Sequence, residues 1–245
     1  MPIGLTPNNP LHRTVPASLG AICTDRRMRA VRLLRMTSLM PSRDEYLKLL
    51  QREFFPYVRG TGFKGSRVTL RRQRGEVIHV INVQGSSTAD RCYLNLGVHL
   101  AFLPTEGGIV VSLSKIKEYE CAFRRRVDPP SEYRFGWPYG RTPTEATDCL
   151  SKLVAAYKTQ GEPYFARLAD YPGSFDTVSP DDLHEPSPWS TLGATTPTLF
   201  LTFARIALHG GDVSRARDFA RAGLEQAPRT ATILHRLLQK ILDSP

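Results

Sequence analysis

The stretch Val77–Leu103, VIHVINVQGSSTADRCYLNLGVHLAFL, constrains the fold more than any other part of the chain. Two runs rich in β-branched and apolar residues flank a Gly-Ser-Ser-Thr-Ala-Asp loop, the pattern of two antiparallel strands joined as a hairpin. Ahead of it Ser66–Arg72 reads as another strand, with Arg74-Gly75 as the tight turn between them. Pairing Gln73 with Glu76 sets Arg71 against Ile78, Thr69 against Val80 and Arg67 against Asn82. Pairing Gln84 with Arg91 sets Asn82 against Tyr93 and Val80 against Asn95.

Side chains alternate along a strand and paired residues share a face, so these registers sort the residues into two sets. Val68, Leu70, Val77, Ile81, Val83, Cys92, Leu94, Leu96, Val98 and Leu100 fall on one face, interrupted only by His79; this face is the core. Arg67, Thr69, Arg71, Asn82, Gln84, Arg91, Tyr93, Asn95 and His99 fall on the other, together with Ile78 and Val80. His79 reads as a core histidine with its ring nitrogens satisfied.

The other elements are placed around this sheet. Ser42 and Glu45 fit a capping box, and Tyr46, Leu50 and Phe54 recur every four residues as one helix face. Pro56 is expected to end that helix, and Gly60, Gly62 and Gly65 mark the following turn. Glu118–Val127 alternates like a fourth strand, while Val110–Leu113 reads as a short strand or the start of a helical turn. Asp128–Gly140 is a loop rich in proline and aromatics that holds Trp137. Thr142 and Glu145 open a helix with Pro143 at its first position; Leu150, Leu153, Val154 and Tyr157 make its apolar side, Gly161 is expected to end it, and Pro163–Ala169 forms a shorter helix.

The domain plan that follows has four parts. Residues 1–40 form a disordered leader or an upstream read-through, with the natural start at Met36 or Met40. Residues 41–170 form an α+β domain, an antiparallel meander of four or five strands packed with helices. Residues 171–196 have the composition of a Pro-rich linker. Residues 197–245 form a C-terminal helical hairpin or three-helix appendage over Pro197–His209, Asp212–Gln226 and Arg229–Leu242. Their Gly-Asp turn, small residues and Pro228 resemble one and a half repeats of the tetratricopeptide type, fewer than an array requires.

Several landmarks of the middle region recur together: Gly62-Phe63 before a basic strand, Gln84 and Ser86 closing the second strand, Asn95-Leu96-Gly97-Val98 in the third, Cys121 followed by Arg124–Arg126, and Trp137. With this spacing, residues from about Glu45 to Leu168 resemble the bacterial domain-of-unknown-function family 4304. The resemblance implies a compact α+β domain in a bacterium, with no established activity. Gly85 is smaller than the residue expected between Gln84 and Ser86.

No phosphate-binding loop, dinucleotide fingerprint, zinc-protease helix motif or nucleophile elbow is present. Gly-Thr-Gly-Phe-Lys-Gly at 60–65 leads into a strand, so it reads as a turn and not as a phosphate cradle. Cys23, Cys92, Cys121 and Cys149 lack metal-ligand spacing, so neither a metal nor a cofactor is expected, and reduced thiols suit a cytoplasmic protein. No apolar run is long enough for a membrane span. The net charge of +10 suggests nucleic acid at first, but half of it lies in residues 1–40, which hold six arginines against one aspartate.

No catalytic residues are assigned. The site expected from the sequence is the polar sheet face, with Arg67, Arg71, Asn82, Gln84, Tyr93, Asn95 and His99 as ligand-binding residues and Arg124 and Arg126 as contacts to an anion or partner. The alternative for this face is that other elements cover it and its amides satisfy buried backbone groups. The expected function is a non-catalytic binding or interaction module, accessory or immunity-like, with an acidic protein partner. The alternatives are an enzyme acting on an anionic small molecule through Asn95, His99 and Arg71, and nucleic-acid binding through Arg67, Arg71, Arg72, Arg74 and Arg124–Arg126.

Overall fold

The structure is a computed structural model that describes residues 43–105, 112–184, 186–190 and 193–244. The readings made for residues 1–40, for the Ser42 cap and for the start of the 110–113 segment lie outside these residues.

Helix α1 (Arg43–Leu49) buries Tyr46 and leads into Leu50 and Phe54, both fully buried, as the four-residue spacing predicts. Pro56 does not end the helix. Residues Leu50–Phe54 form a turn of π-helix in which the Phe55 N–H donates to the Leu50 carbonyl, and α2 (Phe55–Gly60) continues with Pro56 in its first turn. A wide turn removes the demand that a proline cannot meet, because the carbonyl it would crowd is no longer in the regular α ladder.

A second proline is handled in the same way. Helix α3 (Pro143–Ala156) is capped by Thr142, whose side chain accepts from the Glu145 N–H, and passes through a π turn at Tyr157–Gly161 into α4 (Glu162–Arg167), which carries Pro163 in its first turn. Gly161 is therefore inside the helical rod and not at its end. The two π turns pack together, Phe54 meeting Tyr157 edge-on at 5.3 Å between ring centroids.

The sheet runs β1 (Lys64–Ser66), β2 (Thr69–Arg74), β3 (Val77–Gly85), β4 (Arg91–Leu100) and β5 (Phe123–Arg126) in sequential antiparallel order, and the short β6 (Trp137–Pro138) also pairs with β4. Three expectations shift. The Ser66–Arg72 strand is broken by a turn at Arg67, which has a left-handed φ of 56°. The next turn is Gly75-Glu76, so Arg71 pairs with Val80 and Thr69 with Asn82. Across the following hairpin Asn82 pairs with Asn95 and Gln84 with Tyr93. Both registers differ from the predicted ones by two residues. A two-residue slip keeps every side chain on its face, so the predicted core face holds: Leu70, Val77, Ile81, Val83, Cys92, Leu94, Leu96, Val98 and Leu100 are all buried in the main core. Of the predicted fourth strand only Phe123–Arg126 forms; Glu118–Glu120 is a 3-10 turn.

Helices α5 (Thr196–His209), α6 (Val213–Gln226) and α7 (Thr232–Leu242) follow, placed as the sequence predicts. The Pro-rich stretch before them contributes Phe175, Val178 and Leu183 to the same hydrophobic cluster as the sheet and as Phe200, Phe203 and Phe219 of the C-terminal helices. This α+β architecture leaves the second sheet face to be covered by other means.

Candidate functional site

The opposite face of the sheet divides into two ends. At one, Ile78 and Val80 pack with Ile116 and Cys121 in a second, smaller cluster. Gly97 makes this possible: a Cβ there would lie 2.7 Å from the Cys121 Sγ and 3.1 Å from the Glu118 Cα, so only glycine lets this segment settle on the strand. Arg71 fastens the segment further, donating from Nε to the Ile116 carbonyl and from Nη2 to that of Lys115.

His99 lies beneath this cover and is 0% exposed. Its Nδ1 accepts from the Ala122 N–H at 3.2 Å, so Nε2 carries the proton and donates to the Leu103 carbonyl at 3.1 Å. Burial holds its pKa below the usual imidazole range. Arg71, His99 and Asn95 thus do not converge as a catalytic group would. On the core face His79 is built alike: Nδ1 accepts from Arg72 Nη2, Nε2 donates to the Leu168 carbonyl, both at 2.8 Å, and burial lowers its pKa to about 4. Arg72 also lies over the Phe63 ring at 4.5 Å.

The other end stays open, and there Gln84, Tyr93, Asn95 and Arg126 of the predicted residues meet. The Asn95 Nδ2 donates to Gln84 Oε1 at 3.0 Å, and Arg126 Nε donates to Asn95 Oδ1 at 3.0 Å. Arg126 also lies over the Tyr93 ring, 4.3 Å from its centroid. The buried Asn95, 5% exposed, is therefore the hinge of a chain Gln84–Asn95–Arg126–Tyr93 that fixes one guanidinium at the sheet edge. Asn82, opposite Asn95 across the β3–β4 pair, turns its amide the other way and donates to Thr69 Oγ1 at 2.8 Å, and Arg67 sits exposed in its turn.

Two clefts adjoin at Arg126. The first, of about 200 Å³, is walled by Gln84, Asn95, Glu118, Tyr119 and Arg124–Arg126. The second, of about 270 Å³, is walled by Tyr93, Arg126, Asp128, Arg134, Phe135 and Trp137, among others. Strand pairing explains the second. The chain leaves β4 after the Val127 N–H bonds the Leu94 carbonyl, and rejoins it where Trp137 pairs with Cys92. Residues 128–136 loop out between these points, over the ring of Tyr93.

The sequence reasoning missed Glu118, Tyr119, Arg134 and Phe135. Glu118 and Tyr119 were hidden because their run alternates like a strand but folds as a 3-10 turn. Glu118 is 8% exposed, and burial raises its pKa, opposed by the nearby charge of Arg124. An Arg-Phe pair inside a loop of prolines and glycines was the available signal for the other two. Three arginines, two side-chain amides and one carboxylate suit an anionic group that also carries a hydrogen-bond donor. No cluster of metal-ligating side chains occurs among the described residues, and no helix among them is long and apolar enough to cross a membrane.

Residues 54–167 match the model of a family described as a domain of unknown function, DUF4304. This segment, a little under half of the chain, is similar to that family. It contains the second π turn, the whole sheet and both clefts, while the first π turn lies ahead of it except for Phe54. Neither the search of curated proteins nor that of solved structures gave a match. Of the landmarks read from the sequence, Gln84, Asn95, Arg124–Arg126 and Trp137 line the clefts at the open end, while Cys121 lies in the small cluster at the covered end. Gly85 has a local reason as well: a Cβ there would meet Arg43 Nε at 2.9 Å and the Tyr139 hydroxyl at 3.1 Å.

Proposed function

We propose that this chain is a cytoplasmic, non-catalytic binding module that takes an acidic group of a protein partner in the Arg124–Arg126 cleft. One observation carries the reading: Asn95, buried between Gln84 and Arg126, holds the Arg126 guanidinium in a fixed place beside an open cleft. A guanidinium fixed in advance loses less entropy on pairing with a carboxylate than a free one. The non-catalytic part is supported by His99, whose two ring nitrogens are both engaged under cover. The preference for a protein over nucleic acid is supported by Arg71 and Arg72, which bind carbonyls of this chain and leave the basic strand with fewer cations to offer.

The test is a titration with propionate, followed by NMR at the side-chain amides of Asn95 and Gln84. Both signals shift in the native protein, and the shift disappears in Arg126→Gln at an unchanged melting temperature. Absence of any shift at these amides in the native protein refutes the reading.

A further inference from the structure

Beside the arginine cleft stands an aromatic ring that the fold has no use for. We propose that the partner sets an apolar side chain on Phe135 while its carboxylate sits on Arg126, so that the ligand is a protein segment pairing an acid with an apolar residue; this rests on the reading of the cleft given above.

Among the described residues three large hydrophobic side chains are exposed: Tyr119 at 47%, Phe135 at 70% and Ile233 at 70%. Two of the three stand at this one edge of the sheet, Tyr119 in the wall of the first cleft and Phe135 in that of the second. Arginines with exposed aromatics beside them are the composition of binding hot spots.

The backbone holds Phe135 where it is. Arg134 before it has a left-handed φ of 24°, and Gly136 after it has φ 125°. A Cβ at position 136 would lie 2.8 Å from both the Cys92 carbonyl oxygen and the Tyr93 ring, so the loop is pressed down on Tyr93 on one side of Phe135. A non-glycine residue at positive φ carries a conformational cost, and the loop bears it while leaving a phenyl ring in water.

Aromatic rings among arginines also suit a single nucleic-acid strand. Charge decides between the two. Each cleft carries a carboxylate of its own, Glu118 in the first and Asp128 in the second. A run of phosphates would meet both, whereas a protein segment brings donors as well as acids and satisfies them.

Three probes separate the outcomes: propionate, 3-phenylpropionate and thymidine 5′-monophosphate, each titrated by NMR against the native protein and Phe135→Ala. The expected result is that 3-phenylpropionate binds about tenfold tighter than propionate, the gain of part-burying one phenyl ring. Phe135→Ala removes that gain and leaves propionate binding as it was, at an unchanged melting temperature, since the ring is exposed. Equal affinities for the two acids, or a gain that survives Phe135→Ala, overturn the proposal while leaving the arginine cleft standing. Tighter binding of the nucleotide than of 3-phenylpropionate overturns it in favour of a nucleic-acid ligand. If no probe moves the Asn95 amide, the reading of the cleft fails with it.

Discussion

The two ends of the second sheet face have similar sequences and opposite fates. Around Ile78, Val80 and His99 the strands are roofed by Ile116–Ala122, and the two predicted polar residues there are tied to this chain: His99 to Ala122 and Leu103, Arg71 to Lys115 and Ile116. Around Gln84 and Asn95 no such roof is laid, the 128–136 loop rests on the Tyr93 ring, and the polar groups hold one another in line beside two clefts. Residue type does not separate the ends, since each has an arginine and a polar or aromatic side chain. What separates them is how the covering segment sits: at Gly97 the strand is bare enough for the 118–121 turn to settle on the backbone, whereas the 128–136 loop rests on the Tyr93 ring and leaves two clefts that adjoin at Arg126.

The largest effect that tests this contrast sets both faces of one strand side by side. Ile78 and Ile81 are 1% and 0% exposed, yet Ile81 belongs to the main core and Ile78 to the small cluster under the roof. Ile81→Ala is expected to cost about 4 kcal/mol and Ile78→Ala about 2 kcal/mol, because a thin roof relaxes into the space more readily than a packed core. Urea unfolding measures both; equal losses mean that the roofed end is as tightly built as the core.

A smaller effect lies in pH. Burial lowers the pKa of His79 to about 4, and that of His99 is also lowered by burial. An unfolded histidine takes up its proton near pH 6.5, so below that pH the unfolded chain binds protons that the folded one refuses. Stability is therefore full above about pH 6.5 and falls as the pH drops towards 4, by up to roughly 3 kcal/mol for His79. His79→Gln, which keeps a donor and an acceptor, flattens the steeper part of the curve; an unaltered slope in that variant assigns the effect to other groups.

The smallest effect belongs to the open end. Gln84 is exposed, and Gln84→Ala is expected to change unfolding free energy by less than about 1 kcal/mol. A larger loss shows that the open end, too, is built for stability.

Much of the fold could be read from the chain, for a specific reason. Alternation fixes which face a residue joins but not the turn, so Arg71 and Thr69 were paired two positions away from their true partners while their faces came out right. Pro56 misled because a proline rule applied to an α ladder has no provision for a π turn, and Gly161 misled because the second π turn carries the helix through the glycine expected to end it. At the site, Gln84, Asn95 and Tyr93 were legible because they share a face with period two, and Arg126 because it belongs to a run of three arginines. Arg67 was not, because a single left-handed residue takes it off the strand. Glu118 and Phe135 belong to segments whose shape is set by what they pack against, Gly97 and Tyr93, and no local pattern carries that information.

The paired π turns have one more consequence. Each turn holds one residue more than the α ladder would, and one residue is about 100° of rotation around a helix axis. The inward stripe of the first rod therefore runs Tyr46, Leu50, Phe54 and then restarts at Phe55 and Val58, so two adjacent phenylalanines both point into the core. In the second rod Leu150, Leu153 and Tyr157 give way to Phe165 and Leu168. Each rod changes the side it turns to the core partway along. Removing a single residue from either π turn would rotate everything after it, turning Val58 or Phe165 away from the core.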